Sequence, residues 1–129
     1  MKLLLDTHIF LWALLEPERI DDETVELLES AETELYLSAV SGWEVAIKHA
    51  NGSLLLPESP QAFLSSSMAA AGVRELPLSL QDAISVADLP PHHNDPIDRF
   101  LIAQARTNQM YIVTDDRAFA DYDVKLIDC

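Results

Sequence analysis

Short apolar runs alternating with stretches of helical periodicity constrain this chain more than any other feature. Lys2–Leu5 reads as a buried strand, and Leu35–Ala39, Val73–Leu76, Tyr111–Thr114 and Val124–Ile127 read as further strands. Between them, Ile9, Phe10, Trp12, Ala13 and Leu15 recur at helical spacing over Thr7–Leu15, and Glu16-Pro17 punctuates that helix. Asp21-Asp22 opens a second helix, Ser41–Ala50 is a third stopped by Asn51-Gly52, and Gln61–Ala71 is a fourth closed by Gly72. Leu54–Pro60 and Pro90–Asn94 read as loops, and Ser79 caps a helix over Ser79–Ala87. Asp95-Pro96 starts the clearest helix, and Arg117–Ala120 is a short helical turn. Strands alternating with helices predict an α/β fold in three layers: a central, mostly parallel sheet of about four or five strands, flanked by helices.

The 129 residues fit one domain over 1–129, and 49% hydrophobic content is enough for a core. No apolar run approaches the roughly 20 residues needed to cross a bilayer. In MKLLLD a carboxylate follows a very short apolar run, unlike a signal peptide, so the domain is expected to start at Met1 and to be cytoplasmic. Cys129 is the only cysteine, which excludes an internal disulfide and a cysteine-built zinc site. A net charge of −14 opposes nucleic-acid binding by the surface as a whole. The placement of the basic residues therefore matters more than their number, and Lys48, Arg99 and Arg117 each lie within four residues of an acid in the pattern below.

In a parallel sheet, residues just after strands and residues opening helices share the C-terminal edge, where ligands bind. Asp6 follows the first strand, Glu44 is expected in the first turn of the helix after the second, Asp98 opens the helix before Tyr111–Thr114, and Asp115-Asp116 follow that strand. Each acid also has a structural explanation. Asp6 suits a helix cap, Ser41-Gly42-Trp43-Glu44 matches a capping box, Glu44 can pair with Lys48, and Asp95 is a natural cap before Pro96. Asp98 in a first turn suits the helix dipole, and Asp115 or Asp116 can cap the short turn. Together, carboxylates brought within a few ångströms repel, and a hard divalent ion such as Mg²⁺ or Mn²⁺ relieves that repulsion.

The segments LLLDTHIFLWAL (Leu3–Leu14), LSAVSGWEVAIKHANGSLLLP (Leu37–Pro57), HHNDPIDRFLIAQA (His92–Ala105) and IVTDDRAFADYDV (Ile112–Val124) together resemble, in order, the PIN-domain ribonucleases of VapC-type toxins. The resemblance implies a PIN-like fold and a Mg²⁺- or Mn²⁺-dependent endoribonuclease that leaves a 3′-hydroxyl and a 5′-phosphate. It carries the family's four acids onto Asp6, Glu44, Asp98 and Asp116, with Asp115 nearby and Asp95 in the motif. Asp6, Asp98 and Asp116 would hold the metal, and Glu44 would ligate it or orient a water. Thr7 and Thr114 are candidates to position water or phosphate, and Arg99 and Arg117 to contact RNA phosphate, against capping and salt bridging as the commoner roles. The resemblance also implies a homodimer and a cognate VapB-like antitoxin in an apolar groove, its Arg masking the acids. Phe10, Leu11, Trp12 and Trp43 are candidates for those surfaces, with burial in the core as the alternative for each.

His92-His93 lacks a partner at zinc-ligand spacing and reads as an exposed loop pair, and His8 and His49 flank the acids without a defined role. Rival readings are a receiver domain, a phosphatase of the haloacid-dehalogenase type, and a PIN fold that only binds. The phosphatase pattern wants an Asp two residues after Asp6, where His8 stands.

Overall fold

Leu3, Leu4 and Leu5 are 0%, 0% and 2% exposed, which is why the first strand carries no polar alternation: it is the middle of the sheet. The computed structural model describes residues 1–129 and contains five strands, β1 (Lys2–Leu5), β2 (Glu34–Ser38), β3 (Val73–Leu76), β4 (Tyr111–Thr114) and β5 (Lys125–Asp128). They lie in the order β3-β2-β1-β4-β5, and every neighbouring pair is parallel. The helices are α1 (Thr7–Leu15), α2 (Asp22–Glu29), α3 (Ala39–Ala50), α4 (Pro60–Ala71), α5 (Leu80–Ser85) and α6 (Pro96–Asn108).

Successive side chains of a strand point to opposite faces, so β1 feeds two cores. Leu4 packs with Leu101, Ile102 and Phe119, while Leu3 and Leu5 pack with Ile9, Phe10 and Leu37. Helix α6 therefore covers one face and α1 the other, giving the three layers expected. Each fully buried Leu stabilises the fold by about 1.5–3 kcal/mol relative to exposure, so a polar residue at any of these positions would be destabilising. No helix is long and apolar enough to cross a membrane.

Several boundaries differ from the sequence reading, each for a local reason. Helix α3 starts at Ala39, two residues early, because the Ser38 hydroxyl accepts from the Val40 N–H and caps it there. Ser41 is thus inside the helix and forms no capping box, and Glu44 falls in the second turn rather than the first. Strand β2 accordingly ends at Ser38 rather than Ala39, and β5 runs one residue later than expected. Ser79 does cap α5, in a capping box with Asp82, but the helix tightens into a 3-10 turn over Val86–Asp88. Gly72 closes α4 at φ 68°, a left-handed conformation that costs glycine nothing.

Candidate functional site

Asp6 extends past β1 by one ladder bond, its N–H donating to Val113 O at 3.0 Å. It stands at the N-cap position of α1, yet its side chain makes no capping bond to the helix backbone. Instead the carboxylate, in a residue only 4% exposed, accepts the Thr114 hydroxyl proton at 2.7 Å. That hydroxyl in turn accepts the Asp116 N–H at 3.0 Å. The end of β4 thereby fixes both the carboxylate of Asp6 and the backbone of Asp116. The Thr7 hydroxyl donates to Ser41 Oγ at 2.8 Å and ties α1 to α3. The helix cap that Asp6 suits in the sequence is replaced by a bond to Thr114, and the Thr7 and Thr114 hydroxyls both make contacts between segments.

Asp95 caps α6 as expected, accepting from the N–H groups of Ile97 at 2.9 Å and Asp98 at 3.5 Å. Its cap holds Asp98 in the first turn, where burial, then the charges of Asp6 and Asp95, push the Asp98 carboxyl up to about 7. Asp116 adds to this push, and His93 opposes it. Asp116 accepts the Ala118 N–H at 3.0 Å with one oxygen, capping the turn Arg117–Asp121. Its other oxygen lies 3.8 Å from His93 Nε2, which is 2.9 Å from Asp98 Oδ2.

His93 corrects the reading of the histidine pair as an exposed loop. Its side chain is 19% exposed, and one ligating atom from each of His93, Asp98 and Asp116 lies within 4.8 Å of the others. Only His92 is exposed. The sequence offers one local signal, that His93 sits two residues before the Asp95 cap; the contact with Asp116 is tertiary.

Glu44 reaches the same place from α3 and pairs with Lys48 at 3.0 Å. Asp6, Glu44, Asp95, Asp98 and Asp116 all line one cavity of about 230 Å³, together with Thr7, His8 and Lys48. Asp115 does not line it and is hydrogen-bonded to His8 Nε2. The His8 Nδ1 lies 3.4 Å from Asp6 Oδ2. Burial works against charge on His8, but hydrogen bonding and charge from Asp6 and Asp115 outweigh it and raise the imidazole to about 9. A ring cation thus stands beside the acids.

Arg99 pairs with no acid. Its guanidinium donates to Pro90 O, Val86 O, Leu89 O and Tyr122 OH, at 2.9–3.3 Å, and so ties down the loop before α6. Arg117 is exposed, and His49 is half-buried outside the cavity. Phe10 is core, while Trp43 is 56% exposed.

The donor set fits a hard divalent ion. Acids from four segments line the one cavity, and Asp98 and Asp116 bring ligating atoms within 4.8 Å of each other. The Asp98 carboxyl is raised to about 7 by burial first and then by neighbouring negative charge, which a cation would offset.

A parallel α/β sheet with acids gathered beyond the C-terminal ends of its strands defines a ligand-binding domain of the open-sheet class. Residues 3–125 match the PIN domain family, and the chain belongs to it. No curated protein matches the sequence significantly. Solved structures similar to this one include VapBC2 from Rickettsia felis bound to a DNA fragment from their promoter, at 16% identity and a TM-score of 0.76 over 99% of this chain and 98% of that one. DNA-bound VapBC from Salmonella typhimurium is similar at 15% identity, with a TM-score of 0.70 over 99% and 98%. A toxin–antitoxin complex from Klebsiella pneumoniae follows at 17% identity, with a TM-score of 0.55 over 88% and 86%. The strand order also differs from the 2-1-3-4-5 of receiver domains, which removes that rival.

Proposed function

We propose that this PIN domain is the toxin of a VapC-type toxin–antitoxin pair and acts as a metal-dependent endoribonuclease. The observation that carries the reading is the meeting of Asp6, Glu44, Asp98 and Asp116 in one cavity, with the Asp98 carboxyl raised to about 7. Membership of the PIN family, which is generally nucleolytic, and the toxin–antitoxin complexes among similar structures support it.

Asp6, Asp98 and Asp116 are the residues that would hold Mg²⁺ or Mn²⁺. When bound, the ion would lower the pKa of water and offset charge on a phosphodiester. The chain's own residues do the rest. Thr114 holds the Asp6 carboxylate in place, and the Asp95 cap accepts the Asp98 N–H and so fixes the backbone that carries Asp98. Glu44, kept in orientation by Lys48, accepts a proton from the attacking water. The water oxygen bonds to phosphorus in line as the P–O3′ bond breaks, and the 3′-oxygen takes a proton from solvent. The products carry a 3′-hydroxyl and a 5′-phosphate. Exposed Arg117, next to Asp116 in the chain, gives the RNA backbone a cation in addition to Lys48 and His8 of the cavity wall. Asp115 belongs with His8 rather than with the ion.

The partners follow from the same reading. A groove of about 550 Å³, whose lining includes Phe10, Leu14, Ile20, Val25 and Leu28, suits the apolar face of a VapB-like antitoxin. Exposed Trp43 and Ile47 suit a contact in a homodimer. A cytoplasmic location fits an RNA substrate.

The test is cleavage of cellular RNA by purified wild type and Asp6→Asn, with and without Mg²⁺. Cutting by wild type alone, abolished by chelation, is the expected result. Equal cutting by both proteins, with matched folding, overturns the assignment.

A further inference from the structure

The cluster of His93, Asp98 and Asp116 invites the view that His93 is a metal ligand, but its hydrogen bonds oppose that. The Asp95 N–H donates to His93 Nδ1 at 3.2 Å. A neutral imidazole has one N–H and one bare nitrogen, so a ring that accepts at Nδ1 carries its hydrogen on Nε2. Rotating the ring by half a turn would set carbon against both the Asp95 N–H and Asp98, so the observed orientation is the one with polar contacts. A metal needs a lone pair, and Nε2 presents a hydrogen. The second nitrogen of a ligating histidine is ordinarily a donor, whereas here it faces a donor.

Nε2 is also uncommitted. It lies 2.9 Å from Asp98 Oδ2, yet the N–H is out of line, and this buried atom has no hydrogen-bond partner. The short distance and the missing bond are reconciled by direction, because a hydrogen bond weakens steeply away from linearity. A buried donor without an acceptor is costly, and such a group calls for a ligand that supplies one.

The ring is held in this pose by more than Asp95. The His93 N–H donates to Tyr122 OH at 2.8 Å, and Arg99 Nη1 donates to the same oxygen at 3.1 Å. Arg99 also bonds three carbonyls of the preceding loop, and the His93 ring meets Phe119 edge-on with centroids 6.3 Å apart. A donor fixed this firmly beside the acids is preorganised, which is what makes such a group effective towards an anion.

We infer that His93 binds the substrate and not the metal, its Nε2–H donating to a non-bridging phosphate oxygen of the RNA while Arg99 and Tyr122 position its loop. This rests on the ribonuclease reading above. No proton is transferred: losing the Nε2 hydrogen would leave an imidazolate, so His93 donates a hydrogen bond and is no general acid.

The test compares wild type, His93→Ala, His93→Gln and Asp98→Asn as full chains. Mn²⁺ alone is titrated into each, and RNA cleavage is followed for kcat and KM. Asp98→Asn should lose Mn²⁺ affinity about tenfold or more, on the scale of removing a group that fixes a metal site. His93→Ala should bind Mn²⁺ within about threefold of wild type, yet lose on the order of 100-fold in kcat/KM, as expected for one preorganised donor. Glutamine, whose amide reaches towards the Nε2 position, should recover a large part of that loss. If His93→Ala loses Mn²⁺ affinity as Asp98→Asn does, or cuts RNA as well as wild type, the inference is overturned. Nitrogen-resolved NMR of the imidazole supplies a readout that needs no activity: Nε2 should carry the hydrogen, and a hydrogen on Nδ1 alone contradicts the inference. Wild type that neither binds Mn²⁺ nor cuts RNA defeats the functional reading itself, and the NMR result remains decisive for His93.

Discussion

Thr114 and Asp6 stand 108 positions apart in the chain and are joined by a 2.7 Å hydrogen bond between buried side chains. The same hydroxyl accepts the Asp116 N–H, so one side chain aligns two of the acids. Thr114→Val keeps the shape and removes both bonds, leaving a buried carboxylate and an amide short of partners. A loss of about 2–4 kcal/mol is expected. Thr114→Ser should stay within about 1 kcal/mol of wild type. Urea unfolding of the three proteins checks this, and equal midpoints for Val and Ser would contradict it.

Asp95 has a cap to lose and, with Asn, a way of keeping it. Asp95→Ala should cost about 1 kcal/mol, while Asp95→Asn should cost a few tenths at most, because the amide oxygen still accepts from Ile97 and Asp98. Thermal melts at one pH and one salt concentration distinguish them. A large loss for Asn would mean that the charge of Asp95, rather than its cap, matters most.

The legible parts of this molecule were those with a local cause. β1 was readable because Leu3, Leu4 and Leu5 form a run buried on both faces, and α6 because Asp95-Pro96 is both cap and first turn. The start of α3 is ambiguous in the sequence because Ser38 and Ser41 both suit a cap. The choice between them is tertiary: Ser41 receives Thr7 from 34 positions away, while Ser38 caps. At the site, parallel-sheet topology anticipated which acids share an edge, since it dictates where strand ends and helix starts fall. It did not anticipate that Asp6 would turn from its helix to Thr114, that Arg99 would serve a loop, or that His93 would join the acids. Those depend on which partner a side chain finds after the segments pack.

Arg99 donates to three carbonyls and the Tyr122 hydroxyl, and only a guanidinium has the reach and the donors for this. Arg99→Lys should lose roughly 1–3 kcal/mol. Amide exchange should quicken over Val86–Asn94 in particular. Exchange unchanged in that stretch would show that the four bonds do not hold the loop.

Protonation of Asp98 and His8 contributes to the pH dependence of stability in the metal-free chain. Asp98 is raised to about 7 and His8 to about 9, so the folded state holds more protons than the unfolded one. Their contribution is complete below the unfolded values. It is lost as pH rises through about 7 for Asp98 and about 9 for His8. The Tm of metal-free protein should therefore fall from about pH 5 to about pH 9, and Mn²⁺ should restore most of the loss at neutral pH by supplying the charge that Asp98 lacks. A Tm that rises across this range would contradict the assignment of both groups.

Whether the gathered acids hold a hard cation is read directly from anomalous scattering by crystals grown with Mn²⁺. A peak is expected within about 2.0–2.3 Å of oxygens from Asp6, Asp98 and Asp116, with His93 outside bonding distance. Saturating Mn²⁺ that leaves no peak in this cavity, or places one away from these acids, would contradict it.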